Sequence, residues 1–156
     1  MPTSGWLQPE PVRAQPESSS FPGSATANEE GAIRAVLTSY NDALNMGSTD
    51  AALYTEDGVF MPPYNPSSVG KEAVREAYDK VFRELKFDVK FTIAEIVVMA
   101  PDWAYVRTNS AGTTGHASTG KTTAEANQEL FIFRKGGDGG WRIARYSFSP
   151  TNPPPA

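Results

Sequence analysis

The sequence contains no cysteine and a single histidine, His116. The absence of cysteine excludes disulfides, thiolate metal sites and cysteine nucleophiles. One histidine, together with Asp and Glu residues that show no ligand spacing, leads us to expect no metal site and no cofactor. His116 lies among glycines and threonines in a predicted loop, a setting too mobile to preorganise a catalytic base.

Strong net charge and long apolar runs are also absent. The chain has 14 Lys and Arg residues against 18 Asp and Glu residues, and the basic residues are scattered. Nucleic-acid binding needs a clustered basic face, so we expect no nucleic-acid partner. No apolar run is long enough to cross a bilayer, and the N-terminus lacks the basic start and apolar stretch of a secretory signal. We therefore expect a cytoplasmic protein with no membrane partner.

The length of 156 residues and the apolar content of 39% predict one domain with a real core. Residues 1–27 are rich in Pro, Ser, Gln and Glu and show no hydrophobic periodicity, so we predict a flexible tail. The folded domain is expected over residues 28–150. Residues 151–156, which include three prolines, are predicted to form a flexible C-terminal end.

The first predicted helix begins near Thr26. Thr26 and Glu29 have the spacing of a capping box, in which the two side chains satisfy free backbone donors at a helix start. Apolar residues then recur at helical spacing up to Leu44, and Gly47 is placed to end the helix. One face of this helix is thus predicted to contain Ile33, Val36, Leu37, Tyr40 and Leu44.

Two further helices are predicted, and the rest of the chain alternates as strands. The second helix is short, beginning at Ser48 or Thr49 and ending at Tyr54. The third runs from Lys71 to about Leu85, with an apolar stripe along one face. Alternation predicts strands, with a hairpin loop at 112–120 and a tight turn at 136–140, over residues 58–61, 87–99, 103–111, 122–134 and 141–148. Helices followed by a strand meander predict an α+β fold.

Three segments carry a resemblance to a known family. YNDALNMG at 40–47 leads to LYTEDG at 53–58, VGKEAVREAY spans 69–78, and LFIFRK at 130–135 precedes GWRI at 140–143. Over about residues 29–150 the chain resembles the SnoaL-like, ketosteroid-isomerase-like branch of the nuclear transport factor 2 superfamily. The resemblance implies a cone-shaped, curved mixed β-sheet wrapped around three N-terminal helices, with a pocket at the open end, and a homodimer formed through the sheet. This scaffold hosts isomerases, hydrolases, cyclases, binders and assembly modules.

The isomerase branch of that family uses a tyrosine and a protonated carboxylic acid as oxyanion donors, with a separate carboxylate as base. The resemblance places Tyr40 at the tyrosine and Glu129 at the acid, where the family has an aspartate. Strand alternation puts Asn127, Glu129, Phe131 and Phe133 on one face. An acid buried among phenylalanines has a raised pKa, and in its neutral form it can donate a hydrogen bond to a developing oxyanion.

A structural reading of the same residues stays open. Tyr40 would then be a core aromatic, and Glu129 would form an ion pair with Arg107 or Arg145. The family's base, a carboxylate on or just after the first strand, has no counterpart in VFMPPY at 59–64. The sequence therefore predicts oxyanion donors without identifying a base.

Aromatic residues are expected to ring the mouth of the pocket. An apolar cavity with a few polar groups is the usual form of a small-molecule site. The expected ligand is a hydrophobic, oxygenated metabolite such as a polyketide, terpenoid or steroid, acted on by a cofactor-free isomerase, cyclase or hydratase. A non-catalytic ligand binder and a dimeric assembly module are the alternatives. Besides Tyr40 and Glu129, the candidate ligand-binding residues are Phe60, Tyr64, Trp103, Tyr105, Asn127, Phe131, Tyr146 and Phe148.

Overall fold

The computed structural model describes residues 23–50 and 53–152. Over these residues the chain forms an α+β fold of two helices and six strands, which confirms the predicted class. The elements, in chain order, are α1 (Gly23–Met46), β1 (Tyr54–Met61), β2 (Ser68–Val69), α2 (Lys71–Glu84), β3 (Leu85–Ala100), β4 (Trp103–His116), β5 (Thr122–Lys135) and β6 (Trp141–Pro150). No helix among them has the length and apolarity needed to cross a membrane.

The strands form one mixed sheet in the order β2-β1-β6-β5-β4-β3. Strand β1 pairs with β6 in parallel, and the other neighbours are antiparallel. The predicted turn at 136–140 is present, with the Gly136 amide donating to the Gly140 carbonyl at 2.8 Å. The mixed sheet and the strand meander therefore follow the sequence-based prediction.

The predicted second helix is wrong, because Tyr54 begins strand β1 instead of ending a helix. Before it, the Leu53 amide donates to the Asp50 carbonyl at 3.3 Å. Tyr54 is buried, and its hydroxyl lies 2.8 Å from that of Tyr78 on α2. Tertiary packing of this ring thus overrides the local helix signal. The described residues contain two α-helices, where the sequence predicted three.

Helix α1 begins at Gly23, earlier than the predicted capping box allows. Thr26 is therefore inside the helix, which overlaps the last residues of the predicted tail. The Glu29 carboxylate instead joins α1 to the sheet, accepting hydrogen bonds from Lys135 Nζ at 2.6 Å and Trp141 Nε1 at 3.0 Å. The rest of the predicted tail, residues 1–22, lies outside the described residues.

The C-terminal end is attached to the sheet as far as residue 152. The Thr151 amide donates to the Ala126 carbonyl at 2.9 Å, and the Asn152 side chain donates to the Ala124 carbonyl at 3.0 Å. Residues 153–156 of the predicted flexible end lie outside the described part.

Strand β4 is longer than predicted and continues to His116 through part of the predicted loop. Its glycines and threonines resemble a loop in composition, but they pair with β3 on one side and β5 on the other. At Gly112 the two strands approach so closely that a Cβ atom would lie 2.0 Å from the Asp88 carbonyl oxygen. Glycine in this strand therefore marks close backbone contact.

The core lies between the two helices and the inner face of the sheet. Alternation along β5 is as predicted, since Asn127, Glu129, Phe131 and Phe133 are buried, whereas Leu130 is exposed. The apolar faces of α1 and α2 cover this surface. The central residues of the core, all buried, are Ile33, Leu37, Tyr40, Val74, Tyr78, Val106, Phe131, Phe133, Ile143 and Tyr146.

Two asparagines on α1 bond to the edge strand β3. The Asn41 and Asn45 amides both donate to the Val89 carbonyl, at 2.9 and 2.8 Å. Their side-chain oxygens accept from the Phe91 and Val89 amides, at 3.0 and 2.9 Å. Unpaired backbone groups at a sheet edge need such partners. The asparagines therefore fix the position of α1 against the last strand of the sheet.

Candidate functional site

A cavity of about 270 Å³ lies between the two helices and the inner face of the sheet. Helices α1 and α2 contribute residues such as Tyr40 and Val81, and strand β1 contributes Phe60. The wall is mainly apolar and aromatic, and a few polar groups converge on it. Those on the sheet are Ser110, Glu125, Asn127, Glu129 and the Tyr146 hydroxyl.

Glu129 is a buried carboxyl group in this wall, with 3% of its surface exposed. The hydroxyls of Thr108 and Ser110 on β4 each lie 2.5 Å from one of its two oxygens. Burial raises the pKa of the Glu129 carboxyl above its ordinary value, and the two hydroxyl hydrogen bonds oppose this shift. The environment therefore favours the neutral acid relative to a solvated glutamate.

The predicted alternative, an ion pair of Glu129 with Arg107 or Arg145, is wrong. Arg107 Nε donates instead to Glu95 at 2.8 Å on the outer face of the sheet. Arg145 Nη1 donates to the carbonyl oxygen of Asp57 at 3.1 Å and to that of its neighbour Ala144 at 2.7 Å. Both arginines follow the opposite alternation from Glu129, so their side chains leave the sheet on the other side.

Tyr40 belongs to a phenol chain of four buried tyrosines. Its hydroxyl oxygen lies 2.6 Å from that of Tyr78, which in turn lies 2.8 Å from that of Tyr54. The Tyr146 hydroxyl is a second hydrogen-bond partner of Tyr40. Burial raises the pKa of all four hydroxyls, so each keeps its proton at neutral pH. Helix periodicity identified Tyr40 and Tyr78 as apolar-face residues, but spacing alone gave no sign that their hydroxyls meet.

Six of the ten candidate residues lie in the wall of one cavity. They are Tyr40, Phe60, Asn127, Glu129, Tyr146 and Phe148. Phe131 is fully buried behind this wall, with its ring stacked on that of Tyr146 at a centroid distance of 4.1 Å. It supports the wall and does not form it.

The structure places the other three candidates, Tyr64, Trp103 and Tyr105, away from the cavity. Tyr64 is 97% exposed and has a positive φ of 65° in the turn after β1. Trp103 and Tyr105 alternate with buried residues on β4 and face outward, and the Arg134 guanidinium lies 5.1 Å from the Trp103 ring centroid. Aromatic character suggested a pocket, whereas strand parity decides the side of the sheet.

Glu125 is a polar residue of the wall that sequence reasoning missed. It is half-buried, and its two oxygens accept hydrogen bonds from the Thr114 hydroxyl at 2.7 Å and the Asn127 amide at 2.8 Å. Strand alternation could have identified Glu125 as a wall residue, because residues 125, 127 and 129 share one face of β5. In the segment expected to supply the base, Pro62 and Pro63 line the cavity and cannot accept a proton.

Other potential sites are less developed. His116 ends β4, and its Nε2 lies 2.9 Å from the Thr123 hydroxyl, outside this cavity. Over residues 23–50 and 53–152, no group of three or more His, Asp or Glu side chains is arranged to hold a metal ion. A second hollow, on the side of Tyr78 nearer Tyr54, measures about 20 Å³, which suits about one water molecule.

Solved structures of other proteins share this fold. A ketosteroid isomerase-like protein from Erwinia carotovora atroseptica is 41% identical, with a TM-score of 0.72, and the match covers 80% of this chain and 94% of that one. A conserved protein from Planctomyces limnophilus is 27% identical, with a TM-score of 0.71 and coverage of 80% and 98%. A cystatin-like-fold protein from Caulobacter vibrioides, at 18% identity, a TM-score of 0.66 and coverage of 80% and 90%, supports the fold alone.

The SnoaL-like domain model matches residues 37–146, which is more than half of the chain. No curated protein sequence gives a significant match. The matched region includes both helical tyrosines of the phenol chain and all of β5, so it contains every residue of the cavity wall described above except Phe148. The chain therefore belongs to the SnoaL-like domain family and has a nuclear transport factor 2-like fold.

Proposed function

We propose that the cavity binds a flat, hydrophobic, oxygenated small molecule and that the protein catalyses proton transfer on it. Isomerisation is the reaction class that we favour, with cyclisation and hydration as related outcomes. One observation carries the proposal: the hydroxyl of Tyr40 and the buried carboxyl of Glu129 line the same aromatic cavity. Two such donors are suited to stabilise negative charge on a ligand oxygen.

The neutral form of Glu129 has a hydrogen to donate. Its oxygens already accept from Thr108 and Ser110, so its own proton is left for a ligand. In the phenol chain, three hydrogen bonds use three of the four protons. If Tyr54 donates to Tyr78, and both Tyr78 and Tyr146 donate to Tyr40, the Tyr40 proton is left for a ligand in the cavity.

The shape and lining of the cavity favour a flat ligand. The rings of Phe60 and Tyr146 lie within 16° of parallel, and those of Tyr146 and Phe148 within 24°. All three line the cavity, and near-parallel rings leave flat apolar space beside them. A volume of about 270 Å³ suits a ligand of two or three fused rings.

The 41% identity to a ketosteroid isomerase-like protein supports a reaction of this class. A pure assembly module would not need this cavity, so its open volume counts against that alternative. Non-catalytic binding would use the same cavity, and a turnover measurement separates it from catalysis. The cone shape with the mouth of the cavity at its open end, and a homodimer formed through the sheet, complete the proposal.

The test uses 2-naphthol, a planar phenol whose fluorescence reports its ionisation and surroundings. The wild-type protein is expected to bind it, and Tyr40→Phe to weaken binding about tenfold, as expected for a lost hydrogen bond to a charge-bearing oxygen. Tyr64→Phe is the matched control, because this tyrosine lies outside the cavity. Glu129→Gln keeps a donor but cannot ionise. Unchanged binding of 2-naphthol by both Tyr40→Phe and Glu129→Gln would show that the oxyanion proposal is wrong.

A further inference from the structure

The cavity wall holds a second carboxyl group, which the donor pair leaves unused. We propose that Glu125 is the base of this site, taking a proton from a carbon atom of the ligand while Tyr40 and Glu129 hold the ligand's oxygen. This inference rests on the proposed function and supplies the group that the segment at 59–64 lacks.

The position of Glu125 on β5 brings it to the same wall as Glu129. Four residues separate the two along one face of the strand, so their Cα atoms are about 13 Å apart at a rise of about 3.3 Å per residue. Both side chains line the cavity, which brings their carboxyl groups nearer to each other than their backbones. A ligand held at one end by Glu129 can therefore extend toward Glu125.

A chain of hydrogen bonds connects the two carboxyl groups. The Asn127 amide nitrogen lies 2.8 Å from Glu125 Oε2 and 3.4 Å from Ser110 Oγ. Ser110 Oγ lies 2.5 Å from Glu129 Oε2. Asn127 and Ser110 thus hold both acids in fixed positions relative to each other, as a catalytic pair requires.

Glu129 and Glu125 differ in burial and in hydrogen-bond partners, which suits them to different roles in a proton transfer. Glu129 is buried, whereas Glu125 is half-buried and its side chain contacts neutral donors on Thr114 and Asn127. The two oxygens of a carboxyl group offer several acceptor positions, and these donors occupy one on each oxygen. Each oxygen of Glu125 therefore keeps a free position that can take a proton from a ligand. Pairs of titratable groups with contrasting environments commonly assume complementary roles.

Within the described cavity wall, no other group competes for the role of base. The remaining ionisable side chains there are the phenols of Tyr40, Tyr78 and Tyr146, whose pKa values burial raises. A neutral phenol is a poor proton acceptor. Glu125 is the one carboxylate besides Glu129 among the described residues lining this cavity.

The proposed step is balanced without another reactant. Glu125 takes a proton as the C–H bond breaks, the electron pair forms a new C=C bond, and the carbonyl π electrons move to oxygen. Tyr40 and Glu129 hydrogen-bond that oxygen. Glu125 then returns the proton to a different carbon while the C=O bond forms again. The carbon that loses the proton is the one next to the carbonyl carbon, and a double bond one carbon farther away gives the proton a different carbon to return to.

The experiment follows proton transfer with an octalone probe, a bicyclic ketone whose double bond is one carbon removed from conjugation. Deuterium uptake from D₂O and conversion to the conjugated ketone are measured by NMR for wild type, Glu125→Gln and Glu95→Gln. Glu125→Gln should lower both rates at least about 100-fold, as loss of a general base does, and leave 2-naphthol affinity within about threefold. Glu95→Gln removes a carboxylate from the outer face and should match wild type.

A Glu125→Gln protein that exchanges and converts the octalone at the wild-type rate would overturn the role of Glu125, while Tyr40-dependent binding of 2-naphthol would still support the proposed function. Failure of wild type to bind 2-naphthol would overturn both. Thermal unfolding checks that each variant is folded. If Glu125→Gln unfolds, Glu125→Ala with added formate replaces it, and recovery of exchange with formate supports the proposed base because a small carboxylate then occupies its place.

Discussion

The buried carboxyl group of Glu129 is unfavourable for stability, although it fits the donor role proposed for this site. Its carboxyl group is buried beside hydroxyls and has no cation among the partners that the structure assigns to it. Burial of a carboxylate without a cation is unfavourable, so the group responds by keeping its proton. A residue chosen for stability alone would be apolar here. Its placement in the cavity wall is consistent with the donor role proposed above.

This arrangement predicts a definite dependence of stability on pH. The folded protein holds the Glu129 proton more tightly than the unfolded chain, whose glutamates have a pKa near the ordinary value of 4.5. As pH rises above that value, the unfolded state loses the proton first, so this residue lowers the free energy of unfolding until its folded pKa is passed. The slope from one such proton is at most about 1.4 kcal/mol per pH unit.

Urea unfolding of wild type and Glu129→Gln between pH 4 and pH 8 measures this effect. The variant should become more stable relative to wild type as pH rises from about 4.5. Glu95→Gln serves as the control, because its carboxylate is partly exposed and paired with Arg107. A constant difference between Glu129→Gln and wild type across this range would contradict the assigned shift.

At the scale of residues, some positions of the candidate site could be predicted from the sequence and others could not. Strand parity and the family resemblance placed Tyr40 and Glu129 correctly on inward faces. The aromatic character of Trp103 and Tyr105 predicted pocket positions, whereas their alternation with the buried Ala104 and Val106 places them on the outer face of the sheet. The hydroxyl contacts that connect Tyr54, Tyr78 and Tyr40 depend on β1, α2 and α1 meeting, and no local pattern encodes that.

At the scale of elements, helix α1 supplies side-chain hydrogen-bond partners for backbone groups of the edge strand β3. Asn41 and Asn45 together bond the backbone of Val89 and Phe91, on strand β3. The i, i+4 spacing puts both amides on one helix face, and the extended strand presents its backbone groups at a matching interval. In the sequence these asparagines belong to the YNDALNMG segment that carries the family resemblance, and no pattern there predicted their bonds to β3.

Loss of either asparagine should destabilise the protein. Asn45→Ala removes one donor and one acceptor from β3, and we expect a loss of about 1–3 kcal/mol in the free energy of unfolding, as for backbone groups left without a partner. Asn41→Ala should act similarly. Thr38→Ala is the control on the same helix, because the Thr38 hydroxyl makes only an exposed bond to Arg34 within the helix. Urea denaturation gives all three values, and equal losses for Asn45→Ala and Thr38→Ala would contradict the edge-strand role.

The elements that the sequence predicted well are those with a long, consistent pattern. Helix α2 and strand β5 have clear periodicities of 3.6 and 2 residues, and their bounds agree closely with the prediction. The predictions were less accurate for short segments and for segments whose composition does not distinguish a strand from a loop. The stretch before Tyr54 has a capping residue but too few residues to sustain a helix against tertiary packing, and β4 has loop-like composition in a strand paired on both sides.

For the molecule as a whole, the cavity and the core share one aromatic cluster. Tyr40 has ring contacts with Tyr78, Phe91, Phe131 and Tyr146, at centroid distances of 5.6 to 6.3 Å. Its ring thus belongs to the core, and the same residue lines the cavity. Stability and ligand binding are therefore coupled, because global unfolding destroys the cavity.

This coupling predicts that a ligand of the cavity stabilises the entire domain by mass action. At 2-naphthol concentrations 100 times its Kd, the free energy of unfolding should rise by about 2.7 kcal/mol if the unfolded chain does not bind. Differential scanning calorimetry should show a transition temperature that increases with 2-naphthol. The rise at a fixed concentration should be smaller for Tyr40→Phe, in proportion to the logarithm of its weaker affinity, and unaltered for Tyr64→Phe. A Tyr40→Phe protein stabilised as much as wild type at that concentration would place the bound phenol outside this cavity, because only a ligand held there loses the Tyr40 hydrogen bond.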